Sequence, residues 1–330
     1  MDISDAPELA LLAMYAEGMH RKSDTGAKLL APVPDPRLIA DYDLRALLIA
    51  NDSIFSTPML QVGPEPLYYG YVAVSKRDPS SWIVGVRGTA GIVEWIIDGQ
   101  FFPDDVRGGT IKVEHGFSSI YGTMQLRALD GQKTLDRDAA AGIAALLGAN
   151  DKITIVGHSL GSALGTYLAY DLARLIGDRV SACLFASPRT GNRAWVDAVN
   201  AALGDRYLVI NYLLDLVPQL PTEGPDYSSA LRSYTIKTGS AEAGIKVDPL
   251  CNHHVLSCAA MLAWTTYMKH APALLDVDAP ERACIIGNRS TVPALAKIIE
   301  LAIEAGGALG LSAGDALRGL IKFRIEPKAP

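Results

Sequence analysis

Apolar positions along the chain fall into short unbroken runs, separated by stretches in which they recur every three or four residues. The runs Tyr68–Ser75, Ser81–Val86, Ile153–Val156, Val180–Phe185, Tyr207–Leu214 and Leu231–Lys237 have the length of strands. The first two meet across Asp78-Pro79-Ser80-Ser81, a hairpin turn. Between the later runs the spacing is helical, over Leu135–Leu147, Leu160–Ile176, Asn192–Leu203 and Val255–Met268. Strand and helix in alternation predict an α/β fold, a mostly parallel central sheet with helices on both faces, whose site lies at the carboxyl ends of the strands. An N-terminal helix is expected over Pro7–Met19, before a rigid break at Pro32, Pro34 and Pro36. From Val292 to Phe323 the apolar run is interrupted by Lys297, Glu300 and Glu304 on one helical face, the pattern of an amphipathic segment. The expected organisation is a catalytic domain over 1–290 with an N-terminal helical extension, and a C-terminal amphipathic helical appendage over 291–330.

Composition narrows the function. With 330 residues, 49% hydrophobic and 20% charged, the chain can bury a core that needs no disulfide. The net charge of −6 argues against a nucleic-acid partner, whose electrostatic footprint is a basic face. Cys183, Cys251, Cys258 and Cys284 form no CxxC pair and no zinc-like spacing, so four free thiols and no metal are expected. The charge-free stretch from Ile153 to Tyr170 contains His158 and several glycines and reads as strand, turn and helix, not as a membrane span. The opening residues lack the basic and apolar regions of a secretory signal, which predicts a cytoplasmic protein or one exported by a signal-independent route. Oligomeric state is left open.

Gly157-His158-Ser159-Leu160-Gly161 follows the run Ile153–Val156 and opens a helical pattern at Leu160, the strand, tight turn and helix of a GxSxG nucleophile elbow. Side chains at 157 or 161 would strike the neighbouring strand or helix, and the turn lifts the Ser159 hydroxyl above the sheet. No GK[ST] or GxGxxG is present to cradle phosphate. A tetrahedral intermediate needs fixed donors where its negative charge develops. The N–H of Leu160 is one. Thr89, at the end of Ser81–Val86 after Arg87-Gly88, offers the second.

Taken in order, Arg87-Gly88-Thr89, Trp95-Ile96-Ile97-Asp98, His115-Gly116-Phe117 with Tyr121, Gly157-His158-Ser159-Leu160-Gly161, Ser187-Pro188-Arg189-Thr190-Gly191-Asn192 and Asp215-Leu216-Val217-Pro218 resemble the landmarks of the class 3 lipases. The similarity runs from about Tyr68 to Ala263. It implies an α/β-hydrolase fold with a short lid helix, Thr89 as oxyanion residue and Ser159 as nucleophile. It also implies a lid just after Thr89, where Ile92, Val93, Trp95 and Ile96 would face the substrate; an apolar helix there suits an acyl groove at a lipid surface.

A serine needs a histidine to take its proton and a carboxylate to orient that histidine, and in this fold they follow in the order Ser, Asp or Glu, His. Asp215 closes the run Tyr207–Leu214 at the catalytic edge; Asp226 and Asp248 are its rivals. His253 and His254 lie in Cys251-Asn252-His253-His254-Val255-Leu256-Ser257-Cys258, and the family's register favours His253, with Cys258 where the family has Tyr, leaving His254 as the alternative base. The expectation is a cofactor-free serine hydrolase of carboxylic esters, a lipase cleaving acylglycerol esters, in transient contact with a lipid surface. The alternatives are a short-chain or feruloyl-type esterase, a phospholipase A1, and a non-catalytic lipid-binding protein.

Overall fold

A computed structural model describes residues 1–23, 31–51, 66–89, 102–106, 109–237, 244–246 and 248–285. The predicted appendage, 291–330, lies outside these residues. The strands in chain order are β1 (Tyr42–Asn51), β2 (Pro66–Ser75), β3 (Ser81–Val86), β4 (Pro103–Val106), β5 (Ile111–Glu114), β6 (Gln125–Arg127), β7 (Thr134–Asp136), β8 (Lys152–His158), β9 (Val180–Phe185), β10 (Tyr207–Tyr212) and β11 (Ser233–Ile236). The helices are α1 (Ala6–Ser23), α2 (Pro36–Asp41), α3 (His115–Gly122), α4 (Ala139–Leu146), α5 (Leu160–Ile176), α6 (Arg193–Leu203), α7 (Pro249–His253), α8 (Val255–Leu262), α9 (Trp264–His270) and α10 (Ala279–Arg282).

Among the described residues, nine strands form one sheet in the order β11-β10-β9-β8-β3-β2-β1-β6-β7. From β3 to β11 neighbours are parallel, with α5 crossing from β8 to β9 and α6 from β9 to β10, and this half carries the elbow. The other half is antiparallel and begins with the predicted hairpin, in which Gly70 pairs with Val86 and Val74 with Trp82. Helices α3, α4, α5 and α6 cover one face, with Phe117, Ile143, Leu164, Leu168 and Val199 in the core. Helices α1, α8 and α9 cover the other, where Leu11, Met14, Met19, Leu256 and Ala259 pack on Tyr68, Val156 and Phe185. Strands buried on both faces must be apolar throughout, which is why they appeared in the sequence as runs and not as alternations.

Several expectations are corrected. The segment from Leu135 is not one helix: β7 ends at Asp136, Asp138 caps α4 through the Ala141 N–H, and the helix begins at Ala139. Val255–Met268 breaks at Ala263, whose backbone is extended (φ −152°), giving α8 and α9. The largest correction concerns the thiols. Cys251 and Cys284, 33 residues apart with Cα atoms at 5.1 Å, form a disulfide, while Cys183 and Cys258 are free and buried. The partners meet only because the turn after α10 folds back against α7, and local Cys spacing carries no trace of that.

Candidate active site

Strand β8 delivers the chain to Ser159 in a sharp turn with φ 59°, left-handed backbone that a serine adopts only when its surroundings impose it. They do so here. A Cβ on Gly157 would lie 2.4 Å from the Gly161 carbonyl oxygen, and one on Gly161 would lie 2.3 Å from that of Val86, so both positions must be glycine. The Ser159 N–H donates to Phe185 O at 2.9 Å. Ser162 Oγ lies 2.8 Å from Gly157 O and 2.7 Å from Phe185 O and accepts the Phe185 N–H at 3.0 Å. The turn is thereby stitched to β9.

The Ser159 Oγ lies 2.8 Å from His253 Nε2, and His253 Nδ1 lies 2.8 Å from Asp215 Oδ2. All three side chains are buried. Asp215 follows a turn closed by its own N–H on Tyr212 O, and its Oδ1 accepts the Val217 N–H at 3.0 Å, which leaves Oδ2 for the imidazole. His253 ends α7, a helix capped by Asp248 through the N–H groups of Leu250 and Cys251 and tied to the Asp215 turn by Asn252 Nδ2 on Leu214 O. A carboxylate can only accept, so Nδ1 carries the ring proton and Nε2 is bare toward the serine hydroxyl. Hydroxyl, imidazole and carboxylate thus stand in a row along which a proton can leave Ser159.

The loop after β3 lies against this row: a Cβ on Gly88 would stand 3.3 Å from Ser159 Cβ. Arg87, fully buried, fixes that loop by donating to Tyr68 O and Gly88 O, with its guanidinium 4.5 Å above the Tyr69 ring centre. Thr89 follows, half-buried. Leu160 is the first residue of α5, a position whose N–H has no acceptor within the helix.

The rival carboxylates have other partners: Asp226 accepts from Lys112 Nζ at 2.9 Å, and Asp248 is the cap of α7. His115, of the family motif, meets Asp104 at 2.6 Å on the surface. No hydrogen bond joins the His254 ring to Ser159 or Asp215 among the described residues, and burial, with neighbouring His158 and His253, lowers its pKa. Burial pushes the Cys258 thiol far up, so it is unreactive. Ile92, Val93, Trp95 and Ile96 lie outside the described residues. Two features had no signal in the sequence: Arg87 as the brace of the Thr89 loop, and a charged group behind the elbow in which buried His158 and Glu281 meet half-buried Glu17 and Arg21.

Residues 83–224 match the family profile described as lipase (class 3), so the resemblance read from the ordered motifs is shown over that span. The chain is 30% identical over 202 residues to the chloroplastic phospholipase A1-Ialpha2 of Arabidopsis thaliana, a match over 51% of this chain and 41% of that one. It is 26% identical over 238 residues to a secreted mono- and diacylglycerol lipase of Malassezia globosa, covering 66% and 75%. The chain spans half or less of the length of the plant relatives it matches first. Among solved structures, a fungal lipase matches with a TM-score of 0.52 at 19% identity over 72% of this chain and 81% of that one. The native Rhizomucor miehei lipase propeptide complex matches with a TM-score of 0.50 at 22% identity over 71% and 69%. The fold is that of the α/β-hydrolases.

Proposed function

We propose that the protein is a serine-dependent carboxylic ester hydrolase, a lipase acting on acylglycerols. The observation that carries the reading is the row Ser159, His253, Asp215 built on a strained elbow. His253 Nε2 takes the hydroxyl proton as Ser159 Oγ bonds to the ester carbonyl carbon, and Asp215 stabilises the imidazolium. The oxyanion is held by the N–H groups of Leu160 and Thr89. Collapse expels the alcohol, which receives the proton from His253. Water, deprotonated by the same imidazole, then releases the fatty acid. No cofactor enters these steps. The apolar segment with Ile92, Val93, Trp95 and Ile96, next in sequence after Thr89, is proposed as the cover of the acyl site, and residues 291–330 as an appendage to a catalytic domain within 1–290.

Relatives named as mono- and diacylglycerol lipase support the acylglycerol substrate; those named phospholipase A1 and galactolipase support a second reading, cleavage of a polar glycerolipid by the same residues. The test is hydrolysis of p-nitrophenyl esters from acetate to palmitate, and of dispersed triacylglycerol, phosphatidylcholine and galactolipid, by the native chain and Ser159→Ala. A long-chain preference that rises at an interface, with at least a thousandfold loss in Ser159→Ala, is expected. Preference for acetate moves the protein to the esterases, and turnover of phosphatidylcholine alone to the phospholipases. Lipid binding that survives with no turnover of any ester would favour a non-catalytic role. No helix among the described residues is long and apolar enough to cross a membrane. Between a cytoplasmic and an exported protein, the Cys251–Cys284 bond favours export, because such bonds persist in oxidising compartments; two reactive thiols per denatured, unreduced chain are expected, and four would reverse that choice.

A further inference from the structure

His158 precedes the nucleophile, its ring is buried, and no step above uses it. Its Nε2 lies 2.5 Å from the carbonyl oxygen of His253. A carbonyl only accepts, so this nitrogen carries a hydrogen. Its Nδ1 lies 3.5 Å from Glu17 Oε2, at ion-pair distance, on the face of α1 turned toward the sheet. Nδ1 makes no hydrogen bond at that distance, so what joins it to Glu17 is charge, and the carboxylate there favours a protonated ring. The ring also stacks on that of His253, with centres 4.6 Å apart and planes at 39°.

The surrounding charges balance. Arg21, one turn beyond Glu17 on α1, donates to Glu281 at 2.6 Å, and the other Glu281 oxygen accepts the Leu256 N–H at 3.2 Å. Burial opposes charge on His158, but Glu17, Glu281 and the His253 carbonyl outweigh it and raise its pKa. Burial likewise opposes charge on Glu17, and His158, Arg21 and His254 overcome it, holding its carboxyl below the ordinary range. His254 faces the same group, its own pKa lowered.

We propose, resting on the reading that His253 is the base, that the Glu17–His158 pair is a positioning device for it: α1 holds His158, and His158 holds the backbone of His253. With the carbonyl at 253 anchored, only the side-chain torsions of His253 remain to be set, and Ser159 and Asp215 set them. Without the anchor the last residue of α7 loses its own hold, though Asn252 and Cys251 still tie the helix, and a displacement of about 1 Å at a catalytic group costs roughly a hundredfold in rate.

The experiment compares native protein, His158→Leu, His158→Gln, Glu17→Gln and Ser159→Ala in kcat and KM on a soluble p-nitrophenyl ester. Tm is measured for each, and ¹⁵N NMR reports the protonation of the histidine rings. His158→Leu is expected to lose about a hundredfold in kcat with KM within twofold. His158→Gln, which restores an N–H near the Nε2 position, recovers at least tenfold of that loss at similar Tm, a separation that a packing role would not give. Glu17→Gln loses threefold to tenfold in kcat, and the buried His158 ring releases its proton at a lower pH than in the native protein. If His158→Leu fails to fold, Glu17→Gln decides alone. Native turnover that Ser159→Ala does not abolish overturns the reading of the site and this role with it. Ser159-dependent turnover that is unchanged in His158→Leu and Glu17→Gln, or a His158 ring whose titration Glu17→Gln does not move, overturns the positioning role alone.

Discussion

At the scale of single residues, the site turns on which of two adjacent histidines faces the serine. His253 ends α7 with its ring between Asp215 and Ser159, while His254 starts the next helix with an extended backbone and leads away. His253→Ala is expected to lose at least a thousandfold in kcat and His254→Ala less than tenfold, measured on the same soluble ester; the reverse order would transfer the base to His254. Gly161 makes a structural prediction of the same sharpness. Its missing side chain lets α5 approach the end of β3, and the atom an alanine would strike is backbone, which cannot swing aside. Gly161→Ala should lower stability by about 2 kcal/mol or more in urea unfolding, with activity falling as the loop carrying Thr89 is pushed off Ser159.

At the scale of elements, what was legible in the sequence follows from how locally each element is specified. The β8 turn and α5 were readable because a GxSxG between an apolar run and a helical pattern is complete within a few residues. The position of Asp215 was readable because it follows the apolar run of β10 by a single turn. Strand β1 was not: its Leu-Arg-Ala-Leu-Leu-Ile-Ala composition suits a helix as well, and only burial between β2 and β6 makes it a strand. The Cys251–Cys284 bond and the Glu17–His158 pair were hidden for a related reason, since both join segments distant in sequence. The disulfide ties α7 to the turn after α10, and replacing both cysteines with serine should cost about 4 kcal/mol on loop-closure grounds, read in urea unfolding. At the start of α3, Glu114 caps the helix through the Phe117 N–H at 2.7 Å, and burial raises its pKa to about 7. The folded carboxyl keeps a proton that the unfolded chain releases near pH 4.5. The stability it contributes is therefore full below pH 4.5 and is lost as pH rises through about 7. Glu114→Gln should remove that slope, so the gap between the two urea midpoints changes between pH 5 and pH 8; a constant gap would rule the effect out.

At the scale of the whole molecule, helix α1 is part of the core and not an ornament on it. Leu11, Met14, Ala16 and Met19 lie under the sheet, Tyr71 donates to Leu12 O at 2.9 Å, and Arg37 bridges Asp35 to Asp278 at 2.7 and 2.6 Å. Deleting residues 1–23 should expose that face and leave an aggregation-prone chain without activity; a soluble, active product would make α1 dispensable. The partners of α1 are also the last described elements to be made: Arg21 and Glu281 are 260 positions apart. During translation α1 therefore has a long wait for its cover. Contacts of such span form late and slowly, since loop closure precedes any reward from the contact. A nascent chain that already contains the elbow and Asp215 still lacks α7, and with it the imidazole of His253, and has an open apolar face where α8 will pack. The row of Ser159, His253 and Asp215 is complete only when almost the whole described chain has been synthesised, and the interval before then is when a chaperone has most to protect.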